Sequence, residues 1–438
     1  MKYTKALFAA VLAAGVLLSG CSMDLSEGAL RPPKTTGREA EIQRLIEKTA
    51  GGSYTLKYPK TGQYRSAIIT KDLDNDGRDE AVSFYRSSDE QSSTQMLVMC
   101  DRDGQWTLCG SFTIDCADVE SIRFADYNYD GVEEIFAGFV KNTSLNELHI
   151  FEFSADKAEA KKVDYTVTYS GYAIGDYDRD GSNEIISLTT ATSDTEAQAL
   201  LTDYDNKRLY TLSECGLDSS VTRYERLVSG LIDGETMGVT ADGATEDGYN
   251  TQVIFYDIKK RRLIDYPTGT GKGSDEDTSR AYAVFCEDIN DDGFIEIPSV
   301  EDSAAAKVEG IVAPVVTWRT LNTKKLKTRE KTRCVSNFDF GYSFTLPENF
   351  IGSTVALLSD DKRSIGIYSI SDGQPDTLLI TLKVFDISTP SDKMSGYSAL
   401  ETYNQYIYTF KIDDDTIYYI DDETVKNNFI IHELNQKD

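Results

Sequence analysis

Four copies of one nine-residue acidic loop punctuate this chain of 438 residues. The copies read Asp72-Leu-Asp74-Asn-Asp76-Gly-Arg78-Asp-Glu80, Asp126-Tyr-Asn128-Tyr-Asp130-Gly-Val132-Glu-Glu134, Asp176-Tyr-Asp178-Arg-Asp180-Gly-Ser182-Asn-Glu184 and Asp288-Ile-Asn290-Asp-Asp292-Gly-Phe294-Ile-Glu296. Side-chain oxygens stand at positions 1, 3, 5 and 9, and Gly stands at position 6. Hard cations such as Ca²⁺ take six to eight oxygen ligands, and Gly supplies the sharp turn that wraps a loop around the ion. The backbone carbonyl at position 7, from Arg78, Val132, Ser182 or Phe294, adds one more ligand. A chance match to this pattern is expected about 10⁻⁵ times per start position. Four matches therefore predict about four Ca²⁺ sites.

An EF-hand needs a bidentate Glu at position 12 and flanking helices. Position 12 is Ser83, Ala137, Ser187 or Ser299. The flanks are short apolar runs rich in β-branched and aromatic residues, such as Ile68-Ile69 before the first loop and Ala81-Val82-Ser-Phe84 after it. Such runs bounded by Asp and Gly read as strands. Each unit is strand, acidic loop, strand.

The loops begin at 72, 126, 176 and 288, so the last gap is close to twice the others. That spacing predicts a worn unit near 230. Tyr224–Val239 keeps the apolar frame and a Gly, but Ser229, Leu231 and Met237 stand where ligands should be. No metal is expected there. Hairpin signals follow several units: Leu97–Leu108 over Asp103-Gly104, Leu201–Leu209 over Asn206-Lys207, Val253–Leu263 and Val316–Leu326. Two strands around the loop and two in the hairpin make a four-stranded sheet, repeated five times. With these loops the chain resembles the FG-GAP/VCBS repeat family, the integrin-like propellers. The resemblance covers roughly 64–330 and implies a β-propeller with structural calcium in its blades. It departs in blade number, with five units counted here rather than seven.

The expected fold class is mainly β: a β-propeller of about five four-stranded blades with Asp-rich Ca loops, plus a C-terminal α+β domain. The expected divisions are a lipoprotein signal peptide at 1–20, a tether at 21–38, an N-terminal helix and closing strand at 39–63, the propeller at 64–333 and the α+β domain at 334–438. Lys2 and Lys5, the apolar stretch Ala6–Leu18 and Leu18-Ser19-Gly20-Cys21 form a signal and lipobox. Cys21 is the expected lipidation site, which places the chain on the extracytoplasmic face of a bacterial cell membrane. Residues 39–49 read as an amphipathic helix with Ile42, Leu45, Ile46 and Thr49 on one face. Tyr54–Tyr58 reads as a strand that helps close the ring. In the C-terminal region, strands are expected at 342–346, 354–358, 364–370 and 377–385. A helix is expected at 398–406, a hairpin from 407–412 and 416–420, and a closing helix at 422–429.

Net charge is −28, and loss of Lys2 and Lys5 with the signal makes it −30. The loops hold fourteen ligand-position carboxylates, about half of that excess. Such acidity argues against nucleic-acid binding. With only two His, His149 and His432, histidine-ligated zinc sites and His-based triads are not expected. No catalytic residues are assigned. Cys100 and Cys109 flank one hairpin turn, but a two-residue turn pairs Cys100 with Thr107, and a bridge needs another register. The composition and the anchor favour a non-enzymatic binding, adhesion or scaffold module with a polysaccharide or protein partner outside the cell. The alternative is an envelope glycan hydrolase or lyase that uses the propeller as scaffold.

Overall fold

The computed structural model describes residues 37–116, 118–143, 145–266, 278–301, 308–414 and 418–432. The expected signal, Cys21 and most of the expected tether lie outside the described residues. The chain is mainly β and β-propeller-like, built from antiparallel sheets that follow one another along the sequence.

Helix α1 (Arg38–Ala50) precedes sheet 1, which contains β1 (Tyr54–Lys57), β2 (Ile68–Lys71), β3 (Glu80–Ser87), β4 (Thr94–Arg102) and β5 (Gln105–Ile114). Sheet 2 runs β6 (Val119–Ala125), β7 (Glu134–Val140), β8 (Asn146–Ser154) and β9 (Glu159–Tyr169). Sheet 3 runs β10 (Gly171–Gly175), β11 (Glu184–Thr189), β12 (Gln198–Asp205) and β13 (Arg208–Gly216). Sheet 4 runs β14 (Arg223–Asp233), β15 (Thr236–Thr245), β16 (Gly248–Asp257) and β17 (Arg262–Tyr266). The turns between hairpin strands carry the left-handed residues that tight turns demand, among them Asp103, Gly104, Asn206 and Lys207.

Neighbouring sheets pack face to face. Val82, Phe84 and Val98 of sheet 1 share one apolar cluster with Ile122, Phe139 and Phe151 of sheet 2. Phe136 and Ile150 use the other face of sheet 2 to meet Tyr172 and Ile185 of sheet 3. Ile186 and Leu201 of sheet 3 meet Val239 and Ile254 of sheet 4. Ile232 and Phe255 of sheet 4 meet Ile297 and Leu321 of the fifth sheet. Alternation along the second and third strands of sheets 2 to 4 supplies both faces, so these inner strands are buried on both sides.

The fifth sheet departs from the repeat. Its first strand is reduced to a single bridge between Glu287 and Glu296. The ladder then runs β18 (Ile297–Val300), β20 (Val315–Asn322), β21 (Lys327–Asn337), β22 (Tyr342–Thr345) and β28 (Phe429–Ile431), while β19 (Ile311–Val312) leaves for a sixth sheet. That sheet has the order β19, β23 (Thr354–Leu358), β24 (Ser364–Ser371), β25 (Gln374–Asp386), β27 (Tyr406–Ile412), β26 (Ser398–Tyr403). Helix α2 (Asp422–Asn427) is capped by Asp421, whose carboxylate accepts the Thr424 amide at 2.8 Å. Strand β21 runs across the expected 333/334 division, and Val335, Tyr342 and Phe344 share a core with Ile367 and Leu382. The last segment of the chain thus completes the fifth sheet.

Three expectations are corrected. Residues 398–406 form strand and turn, not helix: Thr402, Tyr403 and Tyr406–Tyr408 are β-formers, and Asn404 takes φ 54° at the turn. Strand β27 pairs with β25 and β26; of its expected partner 416–420, residues 416 and 417 lie outside the described residues and 418–420 form no strand. Strand β1 does not reach across a ring. It lies beside β3 in line with β2, with Tyr54 opposite Ser87 and Ile68 opposite Ser83.

The outer face of sheet 1 is covered by helix α1. Ile42 and Ile46 are buried against Ala81, Tyr85, Leu97 and Met99. Among the described residues no apolar cluster joins sheet 1 to the fifth sheet. A buried ion pair ties the segment before the fourth loop to sheet 4. Arg280 donates to Asp242 at 2.7 Å, to Thr251 at 3.0 Å and to the carbonyl of Val284 at 2.6 Å, and the Cys286 amide donates to Asp242 at 2.8 Å. Removing either charge would strand the other out of water.

Truncating the helix seal tests its role. Ile46→Ala is expected to cost about 2–5 kcal/mol in urea unfolding, the usual range for a buried large-to-small change. A loss below about 1 kcal/mol would show that the helix does not seal this face.

Candidate metal centres

The four acidic loops fold alike. Positions 4 and 6 are left-handed in each: Asn75, Tyr129, Arg179 and Asp291 have φ of 55–66°, and Gly77, Gly131, Gly181 and Gly293 have φ of 85–96°. Gly takes this conformation without strain, whereas Tyr129 and Arg179 hold it at a cost. The turn curls the odd-numbered side chains inward. The amide of position 5 donates to the position 3 oxygen at 3.0–3.2 Å in all four loops. The amide of position 7 donates to the position 5 carboxylate at 2.8–3.1 Å.

The position 9 Glu closes each loop. Glu80, Glu134 and Glu184 open the strands after their loops, Glu296 immediately precedes β18, and all four are at most 5% exposed. Each accepts the backbone amide of position 2, from Leu73, Tyr127, Tyr177 and Ile289, at 2.7–3.2 Å. One carboxylate oxygen is thereby used, and the other is left for the loop interior. In the fourth loop that second oxygen, Glu296 Oε1, is buried without a partner, as is Asp176 Oδ1 in the third. A buried unpartnered carboxylate oxygen is costly, and a bound cation would satisfy it.

Carboxylates converge in three of the loops. One oxygen from each of Asp176, Asp178, Asp180 and Glu184 lies within 4.8 Å of the others, and the same holds for Asp72, Asp74 and Glu80, and for Asp288, Asp292 and Glu296. The second loop carries Asn128, whose amide donates to Glu134 Oε1 at 3.0 Å. Positive groups hold carboxylates in two other loops: Arg78, within the first loop, holds Asp76 at 2.8 Å, and Lys331, from outside the fourth, holds Asp292 at 2.7 Å. Lys331 carries no signal in the sequence, because it arrives from the β20–β21 hairpin.

Burial, reinforced by the neighbouring Asp charges, pushes the four Glu carboxyls up: Glu80 and Glu296 to about 7, Glu184 to about 8 and Glu134 to about 9. Ser229 to Met237 lies within the β14–β15 hairpin, and no acidic cluster occurs there among the described residues.

The loops are also bonded to one another in a row. The Glu133 amide donates to the Leu73 carbonyl at 2.8 Å, Asn183 donates to the Asp126 carbonyl at 2.8 Å, and the Ile295 amide donates to the Leu231 carbonyl at 2.8 Å. Position 8 of each later loop thus reaches back to the preceding unit. Beside the second loop a cleft of about 410 Å³ opens, lined by Asp130 and Val132 and by Glu152, Glu159, Lys157 and Lys161 from the β8–β9 hairpin. Tyr127 donates to Glu152 at 3.0 Å on this side.

The fold and these loops define a β-propeller-like protein whose acidic clusters could hold metal ions. No protein-family model matches the chain, and no curated protein matches it. Among solved structures it is similar to Sqt1 of Saccharomyces cerevisiae, at 10% identity and a TM-score of 0.31, over 80% of this chain and 86% of that one. It is also similar to Sqt1 of Chaetomium thermophilum, at 11% identity and a TM-score of 0.37, over 76% of this chain and 80% of that one.

The raised Glu carboxyls set a pH dependence. A carboxyl whose folded pKa lies above its unfolded value near 4.5 lends stability that is full below that value. The contribution is lost progressively as pH rises from about 4.5 to the folded values of about 7 to 9, above which these groups are ionised in both states. In chelator, the urea midpoint is expected to fall across that window, and to fall less in Glu184→Gln, which cannot ionise. Equal falls in both proteins would contradict this.

Proposed function

We propose that this chain is a calcium-binding, FG-GAP/VCBS-like propeller protein that acts as a binding, adhesion or scaffold module rather than as an enzyme. The five sheets, of four or five strands each, are its blades, and about four Ca²⁺ lock the acidic loops of units one, two, three and five. The observation that carries the reading is the inward convergence of loop carboxylates, with Glu296 Oε1 and Asp176 Oδ1 buried and unpartnered. The ligands in each loop are positions 1, 3, 5 and 9, joined by the carbonyl of Arg78, Val132, Ser182 or Phe294. Water completes a shell of the size Ca²⁺ prefers over Mg²⁺.

Cys21 carries the lipid that holds the protein at the outer face of the cell membrane. Calcium outside the cell keeps sites of modest affinity loaded, since extracellular modules often bind with Kd about 10⁻⁴ to 10⁻³ M. The row of loops then presents a rigid end of the molecule to a polysaccharide or protein partner. The cleft beside the second loop, with carboxylates and two Lys, supports a polar ligand at that end.

Thermal melts test the calcium lock. Ligand bound only to the folded state adds about 2.7 kcal/mol per site at a hundredfold excess over Kd. Calcium is expected to raise the Tm of chelator-treated protein, and Asp178→Ala is expected to reduce that rise by roughly one site's share. Identical melts with calcium and with chelator would overturn the proposal.

A further inference from the structure

The hairpin of β4 and β5 contains an irregularity that bears on its two cysteines. Cys100 lies directly opposite Thr107, as a two-residue turn dictates. The register then slips: Met99 faces Leu108, but Val98 faces Gly110, which leaves Cys109 as the extra residue of a β-bulge. In a regular ladder Cys109 would pair with Val98. The bulge instead turns it toward the position of Cys100.

Two contacts bring both thiols to one residue. Cys100 Sγ lies 3.5 Å from Thr107 Oγ1, and Cys109 Sγ lies 3.7 Å from the Thr107 carbonyl oxygen. Both residues are buried in the core between sheets 1 and 2, at 4% and 8% exposure. The other described cysteines have different surroundings. Cys116 contacts the Asp118 carbonyl, Cys215 lies on β13, Cys286 joins the Asp242 network, and Cys334 faces Thr345.

We propose that Cys100 and Cys109 are a disulfide-forming pair, set in register by the bulge and closed by exchange with a small-molecule disulfide such as oxidised glutathione. The Cys100 thiolate attacks one glutathione sulfur, breaks the glutathione S–S bond and releases the first glutathione thiolate. The Cys109 thiolate then attacks the Cys100 sulfur of the mixed disulfide and releases the second. The two thiol protons leave with the two glutathiones, and two electrons pass from the cysteine pair to the oxidant. The bond would staple β4 to β5 next to the first acidic loop, because Cys100 is the register partner of Glu80. The pairing stands on the hairpin geometry alone and does not depend on metal binding.

Cleavage on the amino side of aspartate separates the cysteines. Cys100 then falls in peptide 89–100, Cys109 in 103–114 and Cys116 in 115–117. The full chain is exposed to oxidised glutathione, once folded and once during refolding from denaturant. It is then alkylated in denaturant without reductant, digested and weighed. The expected product is peptide 89–100 joined to 103–114, present in most molecules of at least one sample and lost on reduction. Separate, alkylated peptides in both samples would overturn the proposal, as would a link from Cys100 to any other cysteine.

Discussion

Repulsion between like charges in a confined loop is the constraint on which this structure turns. Carboxylate oxygens within 4.8 Å of one another, as in the third loop, repel by roughly 3 kcal/mol per ionised pair at an effective dielectric constant near 20. Burial of the position 9 Glu adds a desolvation cost, which Lys331 offsets only in part in the fourth loop. Protonation is one way out, and the raised Glu carboxyls show it. A divalent cation is the other, and it serves all the oxygens at once.

The rest of the architecture follows from where those loops sit. In the first three sheets, each loop joins the first strand to the second, so the inward Glu is also the first residue of a strand buried on both faces. Whatever orders the loop therefore orders the start of the sheet. Position 8 carries that order sideways through bonds to the preceding unit. In the worn unit a plain hairpin replaces the loop, and the Asp242–Arg280 pair fastens the following segment to sheet 4. Packing between sheets comes from apolar faces in chain order, with helix α1 covering the first.

Much of this was legible in the sequence because it is written in local rules. The loop pattern, the hairpin turns and the helix 39–49 all come from short-range backbone preferences, and the structure places each of them close to where it was read. The apolar face of Ile42 and Ile46 also lies where the helical period puts it. Long-range pairing was not legible. Nothing local in Phe429–Ile431 says that it completes the fifth sheet beside Tyr342–Thr345. The composition of Ser398–Tyr403 suits a helix, and only its pairing with β27 makes it a strand. The bulge at Cys109 depends on the pairing of the whole β4–β5 ladder, which turn length alone does not determine. Loop contacts such as Lys331 with Asp292 arise only when distant hairpins meet.

The functional reading needs the ions more than it needs any other feature. Without them the loops are strained acidic turns, and the end of the molecule that carries the cleft has no reason to be rigid. Elemental analysis of the purified chain, dialysed against calcium buffer and passed through a desalting column, tests this most directly. The account predicts close to four calcium ions per chain, falling to about three when Asp178 and Glu184 are replaced together. A chain that retained no calcium, and remained folded without it, would contradict the central claim.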